Sequence, residues 1–150
     1  MANVFDKKDC EVLIARINNL NNETKPIWGE MTVDKMLAHC NVTYEMVYST
    51  VHKKPNFVMG MFLKMFVKNK VVSNIPYKKY GPTAPQFIIK KNRNFEKEKL
   101  RLTEYIEKTQ SFGSDYFEGK ESHSFGKLTS EEWNNLFYKH LNHHLEQFGV

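Results

Sequence analysis

The sequence predicts an all-α fold: a four-helix bundle with an extra short helix in one long connection. Three observations predict it. Four stretches repeat apolar residues at intervals of three and four, helix-capping residues precede them, and prolines and glycines cluster between them. Residues at those intervals share one helix face, so each stretch can bury one side against its neighbours. The chain has 150 residues, and we expect residues 1–150 to form a single helical bundle domain.

The first two predicted helices have clear N-terminal signals. The first begins near Asp6 and ends in the asparagine-rich turn 18–22. Its apolar positions are Cys10, Leu13, Ile14, Ile17 and Leu20. The second follows Thr32, a good N-cap, and its stripe consists of Met36, Cys40, Thr43, Val47 and Val51. His39 lies beside this stripe, where a hydrogen-bonded helix histidine and a metal ligand are both open interpretations.

A long connection follows the second helix. Residues 57–72 are rich in Met and Phe and predict a short helix, either buried in the core or lining a pocket. Residues 73–93 contain three prolines and one glycine and predict a loop, with a brief extended piece at 87–89. A connection of this length can carry the chain from one end of a bundle to the other. It is therefore compatible with an up-down-down-up arrangement.

The next predicted helix begins near Asn94 and ends near Gln110. One side carries Phe95, Leu102, Tyr105, Ile106 and Thr109, and Glu/Lys pairs occupy the other side. After Gln110 three glycines, at positions 113, 119 and 126, predict a long loop that contains His123.

The last predicted helix carries three histidines. Thr129 or Ser130 can cap its N-terminus. One face consists of Trp133, Phe137, His140, Leu141, His144 and Phe148. At about 100° per residue, His140 and His144 lie near the centre of this face, and His143 is turned toward its edge.

Two imidazoles within an aromatic stripe require an explanation. A buried polar group without a partner costs a few kcal/mol, at roughly 1–3 from mutational data. Each histidine can bind a backbone carbonyl or a buried water. Alternatively, because one helix offers two ligands to one ion at i and i+4, His140 and His144 can bind a metal. A third ligand from elsewhere would favour the metal.

Composition argues against several classes of protein. The net charge is +5, but the Lys and Arg residues are dispersed without a nucleic-acid-binding motif, so we expect a solvated surface and no nucleic-acid partner. No apolar run is long enough to span a membrane, and the N-terminus lacks the apolar core of a signal peptide. We therefore expect a cytoplasmic protein without a membrane partner. Cys10 and Cys40 fall on helix faces and are interpreted as reduced core thiols.

Three segments resemble the DinB/YfiT-like family of metal-binding four-helix bundles, and more narrowly an uncharacterised subgroup of it. They run from Trp28 to His39, from Ser124 to Trp133 and from His140 to Gly149. The specific part is the single histidine of the second helix together with the His-x-x-His-His run of the last. Two positions depart from the subgroup's pattern, which has glutamine at position 35 and proline at position 124 where this chain has lysine and serine.

The resemblance implies the metal ligands. In that family one histidine of the second helix and the first and last histidines of the terminal run hold the metal, which implies His39, His140 and His144. Three neutral imidazoles leave an ion such as zinc or nickel with an open position, where a bound water or thiol becomes more acidic. His143 and His123 are candidates to support the ligands or to move a proton, and Cys40 is not expected to bind the metal.

Characterised members of the family include thiol S-transferases that join a low-molecular-weight thiol to an electrophile, and a metal-dependent hydrolase has been proposed for relatives. The resemblance therefore implies a divalent-metal-dependent enzyme of either type, acting on a small-molecule substrate, with residues 57–72 shaping an apolar electrophile site. Two alternatives stay open. One is a stress-related protein that binds a metal or small molecule without turnover, and the other is an interaction domain or homodimer with structural histidines.

Overall fold

A computed structural model describes residues 1–150, and the fold is mostly helical. The helices are, in chain order, α1 (Lys7–Asn18), α2 (Val33–Tyr48), α3 (Phe57–Phe62), α4 (Lys68–Val72), α5 (Phe95–Phe117) and α6 (Ser130–Gln147). A π-helical turn, Leu63–Val67, joins α3 to α4, and a 3-10 turn spans Pro85–Phe87, which overlaps the predicted extended piece at 87–89 only at Phe87. Two short antiparallel strands, β1 (Lys120–Glu121) and β2 (Lys127–Leu128), precede α6. None of the helices combines the length and the apolar character needed to cross a membrane.

The predicted helix starts are confirmed. The Asp6 carboxylate accepts hydrogen bonds from the first backbone N–H groups of α1, and Thr32 occupies the N-cap position of α2. At α6 the Thr129 hydroxyl accepts from the backbone of Glu132, and the Glu132 carboxylate accepts from the backbone of Thr129. This reciprocal capping box sets where α6 begins and hence the rotation of its histidines.

Helix α2 lies at the centre of the fold. Every residue from Met36 to Tyr44 is buried, and the helix packs against both α5 and α6. A helix buried on all sides must supply each of its polar side chains with a partner. Asn41 donates from its amide to the Glu98 carboxylate at 2.8 Å and to the Glu98 carbonyl at 3.0 Å, whereas its buried Oδ1 has no hydrogen-bond partner. The other two buried polar residues, His39 and Thr43, face α6 and belong to the candidate site.

An aromatic cluster holds α6 against α2 and α5. The Phe117 ring is fully buried, and its centroid lies 5.5 Å from those of both Trp133 and Phe137. On the other side, Phe137 stacks on Tyr44 of α2 at 5.0 Å. Because these rings interdigitate directly below the histidines, the packing of the core also fixes the position of the site.

The predicted end of α5 near Gln110 is wrong. The helix continues to Phe117 across an interruption at Gly113, whose φ of 71° and ψ of 172° are not helical. This backbone region is essentially restricted to glycine. The bend returns the chain toward the core so that Phe117 is buried, and a small hairpin of β1 and β2 replaces the rest of the predicted loop.

The prediction of a helix at residues 57–72 is confirmed, but of the two interpretations left open for it, that of a helix buried in the core is wrong. Of the residues in α3, the π-helical turn and α4, Val72 alone is buried. The physical reason is that α4 packs on one side of α6, and no other element covers the outer face of the segment. Apolar composition indicated the helix, but it did not specify a partner for its outer face.

Two glycines with open space around them test the role of the bend. An added Cβ at Gly113 or at Gly60 would meet no atom within 4 Å, but only Gly113 has a positive φ. We expect Gly113→Ala to lower the free energy of unfolding by about 1–3 kcal/mol through backbone strain. In contrast, Gly60→Ala should raise it by about 0.5–1 kcal/mol, since alanine favours a helix interior. Urea unfolding followed by circular dichroism measures both, and changes of the same sign would contradict the strain argument.

Candidate metal centre

Helices α2 and α6 bring three histidines together. His39 comes from α2, and His140 and His144 come from successive turns of α6. One ring nitrogen from each lies within 4.8 Å of the others, and the Nε2 atoms of His39 and His140 are 2.9 Å apart. Two nitrogens bound to one tetrahedral zinc lie about 3.3 Å apart, a separation within the range that these atoms span. The three histidines thus lie close enough to bind one metal ion.

The outward-facing nitrogens of two of these rings bind oxygens that can only accept. His39 Nδ1 lies 2.9 Å from the Phe87 carbonyl oxygen, and His144 Nδ1 lies 2.8 Å from the Gln147 amide oxygen. The Gln147 amide is oriented by its own nitrogen, which donates to the Trp28 carbonyl at 2.8 Å. Both imidazoles therefore carry their proton on Nδ1, and both Nε2 lone pairs point into the cluster.

His140 has a partner of a different kind. Its Nδ1 lies 2.9 Å from the Thr43 hydroxyl, which can donate or accept. Without a metal, His140 can donate from Nε2 to the lone pair of His39 while Thr43 donates to Nδ1. With a metal, His140 can instead carry its proton on Nδ1 and donate it to Thr43. The same atoms therefore satisfy both arrangements, and in the second all three Nε2 lone pairs are free.

Burial keeps the three imidazoles neutral at pH 7. His39 and His144 are buried, whereas His140 is partly buried. Loss of solvation lowers the pKa of His144 to about 3, and repulsion from His39 contributes. The same desolvation lowers the pKa of His39, and it lowers the pKa of His140 well below its usual value. Neutral imidazole is the form that binds metals, and its nitrogen suits zinc and nickel, so the donor set fits such an ion.

His143 lies at the rim of the cluster. Its ring centroid is 5.9 Å from that of Trp28, 5.8 Å from that of Tyr77 and 5.1 Å from that of His144, each in an edge-on arrangement. Burial lowers the pKa of His143; the nearby charge of Glu146 partly opposes this shift, and that of Lys79 adds to it. Lys79 also places its ammonium 4.0 Å from the centroid of the Trp28 ring. The prediction that His143 lies near the ligands, at the edge of the helix face, agrees with this position.

The structure places the other candidates away from the cluster. His123 contacts the Ser124 hydroxyl at 2.8 Å and the His52 carbonyl at 3.2 Å, and not the three histidines as the sequence suggests. The reason is that its loop folds into the β1–β2 hairpin. Cys40 is buried, with its sulfur 3.8 Å from that of Met36, and burial raises the pKa of its thiol. It is a core thiol, as predicted.

Sequence reasoning missed the partners of the ligands. Thr43 lies one turn beyond His39 on α2, and Gln147 lies three residues beyond His144 on α6, so helix spacing was a usable signal for both. Phe87 gave no such signal, because its carbonyl reaches His39 from the long connection. The aromatic rings beside the histidines, Trp28, Tyr77 and Phe87, also lie outside residues 57–72, the segment that the resemblance implies for an apolar electrophile site.

Comparison with known proteins adds one finding. A family model described as "Protein of unknown function (DUF1569)" matches residues 5–149, a span that includes all three histidines. No curated protein and no solved structure matched the chain.

The lowered pKa values predict how the stability of the metal-free protein depends on pH. Between an unfolded-state pKa of about 6.5 and the folded value of about 3, His144 binds a proton when unfolded but not when folded. The free energy of unfolding should therefore fall as pH falls through this window, by up to about 1.4 kcal/mol per pH unit for each such histidine.

Urea unfolding in the presence of a chelator, between about pH 6.5 and 5, measures this slope where few carboxylates titrate. The matched variant His144→Gln cannot take up the proton, so its pH dependence should be shallower. An identical slope in wild type and variant would contradict the buried, neutral state of His144.

Proposed function

We propose that this chain, which belongs to the DUF1569 family of proteins of unknown function, binds one divalent metal ion through His39, His140 and His144 and uses it in catalysis. One observation carries the proposal: three neutral imidazoles converge while an oxygen faces the outer nitrogen of each. Core histidines that serve packing alone have no need to point three nitrogens at one another. Metal-binding histidines, by contrast, almost always donate their second nitrogen to an oxygen.

The number of ligands favours a catalytic ion over a structural one. Structural zinc sites use four protein ligands, and catalytic sites use three and leave one position open. When bound, the metal would act as a Lewis acid that lowers the pKa of a water or thiol toward neutrality. The protein would supply the fixed imidazoles, the low-dielectric surroundings and a partly buried approach beside His140.

The rim supports a small substrate with an apolar part. Trp28, Tyr77 and Phe87 present aromatic rings around His143 and the ligands. A neutral His143 could accept a proton from the attacking thiol or water. We therefore place the protein with thiol S-transferases that join a low-molecular-weight thiol to an electrophile, with a hydrolase as the second form of the same chemistry.

We also propose that the helices are arranged as a DinB/YfiT-like four-helix bundle with up-down-down-up topology. The packing of α2 against both α5 and α6, and of α1 against α5, supports this arrangement. So does the origin of the ligands, because sites in helical bundles are built from side chains on facing helices.

Zinc should stabilise the wild-type protein through the three histidines. Protein purified without a histidine tag should gain about 2.7 kcal/mol when free zinc exceeds its Kd about a hundredfold. This corresponds to a rise of roughly 5–10 °C in Tm. His144→Ala should lose this gain and keep its helicity, because the apolar face of α6 still packs. Circular dichroism melts with zinc, nickel and chelator measure the effect.

His123→Ala is the matched control for this experiment. It removes a histidine that lies outside the cluster, and its response to zinc should equal that of wild type. The metal proposal fails if wild type gains nothing from any divalent ion, or if both variants lose the gain equally.

Turnover separates an enzyme from a metal-binding protein. With a chlorinated aromatic electrophile, the thiol sulfur would bond to the electrophilic carbon, chloride would leave, and the thiol proton would pass to His143. We expect zinc- or nickel-loaded wild type to accelerate this reaction with at least one of several cellular thiols. His143→Phe should reduce kcat by about 10²–10⁴-fold while keeping metal affinity.

Chloride release and thioether formation are measured together. If a broad panel of thiols and hydrolysable esters shows no acceleration while metal binding is confirmed, the protein is a metal-binding module without turnover of these substrates.

A further inference from the structure

Charge is distributed very unevenly along this chain. Residues 46–95 contain ten Lys and Arg residues and no Asp or Glu. This stretch therefore carries a charge of +10, and because the whole chain is +5, the remaining residues carry −5. A single stretch with only positive side chains attracts an anionic partner much more strongly than a mixed surface does.

The same stretch exposes a stripe of large apolar side chains. Its members are Phe57, Val58, Met61, Phe62, Met65 and Phe66, and each is between 52% and 81% exposed. They recur every four residues along α3 and the following π-helical turn, so they share one outer face. We call this set the outer stripe. Contiguous exposed apolar side chains on a folded protein mark an interaction site.

The helical segment behind the outer stripe is firmly attached to α6. Asn135 donates to the Val72 carbonyl at 2.9 Å, and the buried Lys139 ammonium donates to the Lys70 and Ser73 carbonyls at 2.7 Å. Lys68 and Glu132 form an ion pair at 2.8 Å. Helix α4, at the C-terminal end of this segment, is therefore anchored to α6, whereas the outer stripe on α3 and the π-helical turn is exposed.

Lysines border the outer stripe. The exposed Lys53 and Lys54 precede it, Lys64 lies within the segment, and Lys70 follows it. Long lysine side chains can keep their ammonium groups at a polar surface while apolar neighbours enter a less polar layer. Aromatic and aliphatic side chains bordered by lysines are typical of helices that lie in the interface of a membrane.

We propose that the outer stripe and its bordering lysines dock on the surface of an anionic lipid bilayer. The apolar side chains enter the boundary between headgroups and acyl chains, and the lysines bind the anionic headgroups. Charge complementarity selects this partner, because the exposed Lys53, Lys54, Lys64 and Lys70 form no ion pair with an acidic side chain. Such docking requires no membrane-spanning helix. It departs from the expectation, made from the sequence, that the protein has no membrane partner. The reason is that the sequence alone did not show the stripe to be exposed.

A second copy of the chain fits this face less well. A symmetric dimer through the outer stripe would bring the exposed lysines that flank it, Lys53, Lys54, Lys64 and Lys70, close to those of the other copy, so that like charges oppose one another. Nucleic acid matches the charge but leaves six apolar side chains without a complementary surface.

Sedimentation with vesicles tests the proposal. Full-length protein is mixed with vesicles of phosphatidylcholine alone, or of phosphatidylcholine with phosphatidylserine. We expect binding to the anionic vesicles to be stronger by at least about tenfold and to weaken as salt is raised. Equal binding to both vesicles, or binding to neither, overturns the proposal.

Matched variants separate the contribution of the outer stripe to vesicle binding from nonspecific adsorption by exposed apolar side chains. The double variant Phe62→Ser, Phe66→Ser should lose at least about tenfold in affinity for the anionic vesicles. Its control, Val12→Ser with Leu100→Ser, removes two similarly exposed apolar side chains elsewhere and should bind as wild type does. Because all four side chains are exposed, both variants should keep the wild-type Tm. Equal losses in both variants overturn the proposal.

Matched charge reversals test the lysines. Lys53→Glu with Lys54→Glu should lose at least about tenfold in affinity. Lys7→Glu with Lys8→Glu changes the net charge equally at two exposed lysines of α1 and should retain binding. Binding to duplex DNA and to an acidic protein is measured with the same variants. If Lys53→Glu with Lys54→Glu abolishes binding to either partner, while Phe62→Ser with Phe66→Ser leaves that binding unchanged, the lipid proposal is wrong. The face is then an electrostatic site of another kind.

Discussion

Three imidazoles share one largely buried space, and each needs a partner for both of its ring nitrogens. In water this requirement is met without cost, but inside a helical core an unpaired ring nitrogen is expensive. The surrounding structure meets it for the Nδ1 atom of each ring with three different oxygens: a loop carbonyl from Phe87, a hydroxyl from Thr43 and a side-chain amide from Gln147. The Nε2 atoms of His39 and His140 face each other at 2.9 Å. The long connection, α2 and the end of α6 must therefore come together at this point.

Helix α6 combines stability with chemistry. Its first half contributes Trp133 and Phe137 to the aromatic cluster, and its second half contributes His140 and His144. Its other side holds the segment that carries the outer stripe, through Asn135 and the buried ammonium of Lys139. Burial lowers the pKa of Lys139 to about 8, because loss of solvation destabilises its ammonium cation. The two backbone carbonyls that accept its hydrogen bonds partly offset this destabilisation. One helix thus connects the core, the candidate metal centre and the exposed basic surface.

The sequence predicted the helices well because the signals involved are local. Caps at Asp6 and Thr129 and the three-and-four spacing of apolar residues require only neighbours along the chain. The same spacing predicts that His140 and His144 face inward. It left His39 undecided, and only the resemblance to a metal-binding family implied it as the third ligand. The structure then placed its Nε2 atom 2.9 Å from that of His140.

Long-range packing decided the rest. Whether an apolar face is buried depends on an element elsewhere in the chain that covers it, so composition alone could not show that the outer stripe remains exposed. The continuation of α5 beyond Gly113 depends on the burial of Phe117 among distant rings, which no local signal specifies. The carbonyl that orients His39 comes from 48 residues away. The sequence by itself determined the helices and the inward face of His140 and His144. The tertiary structure decided the position of His39, the partners of all three histidines and the exposed surface, because these depend on contacts between distant segments.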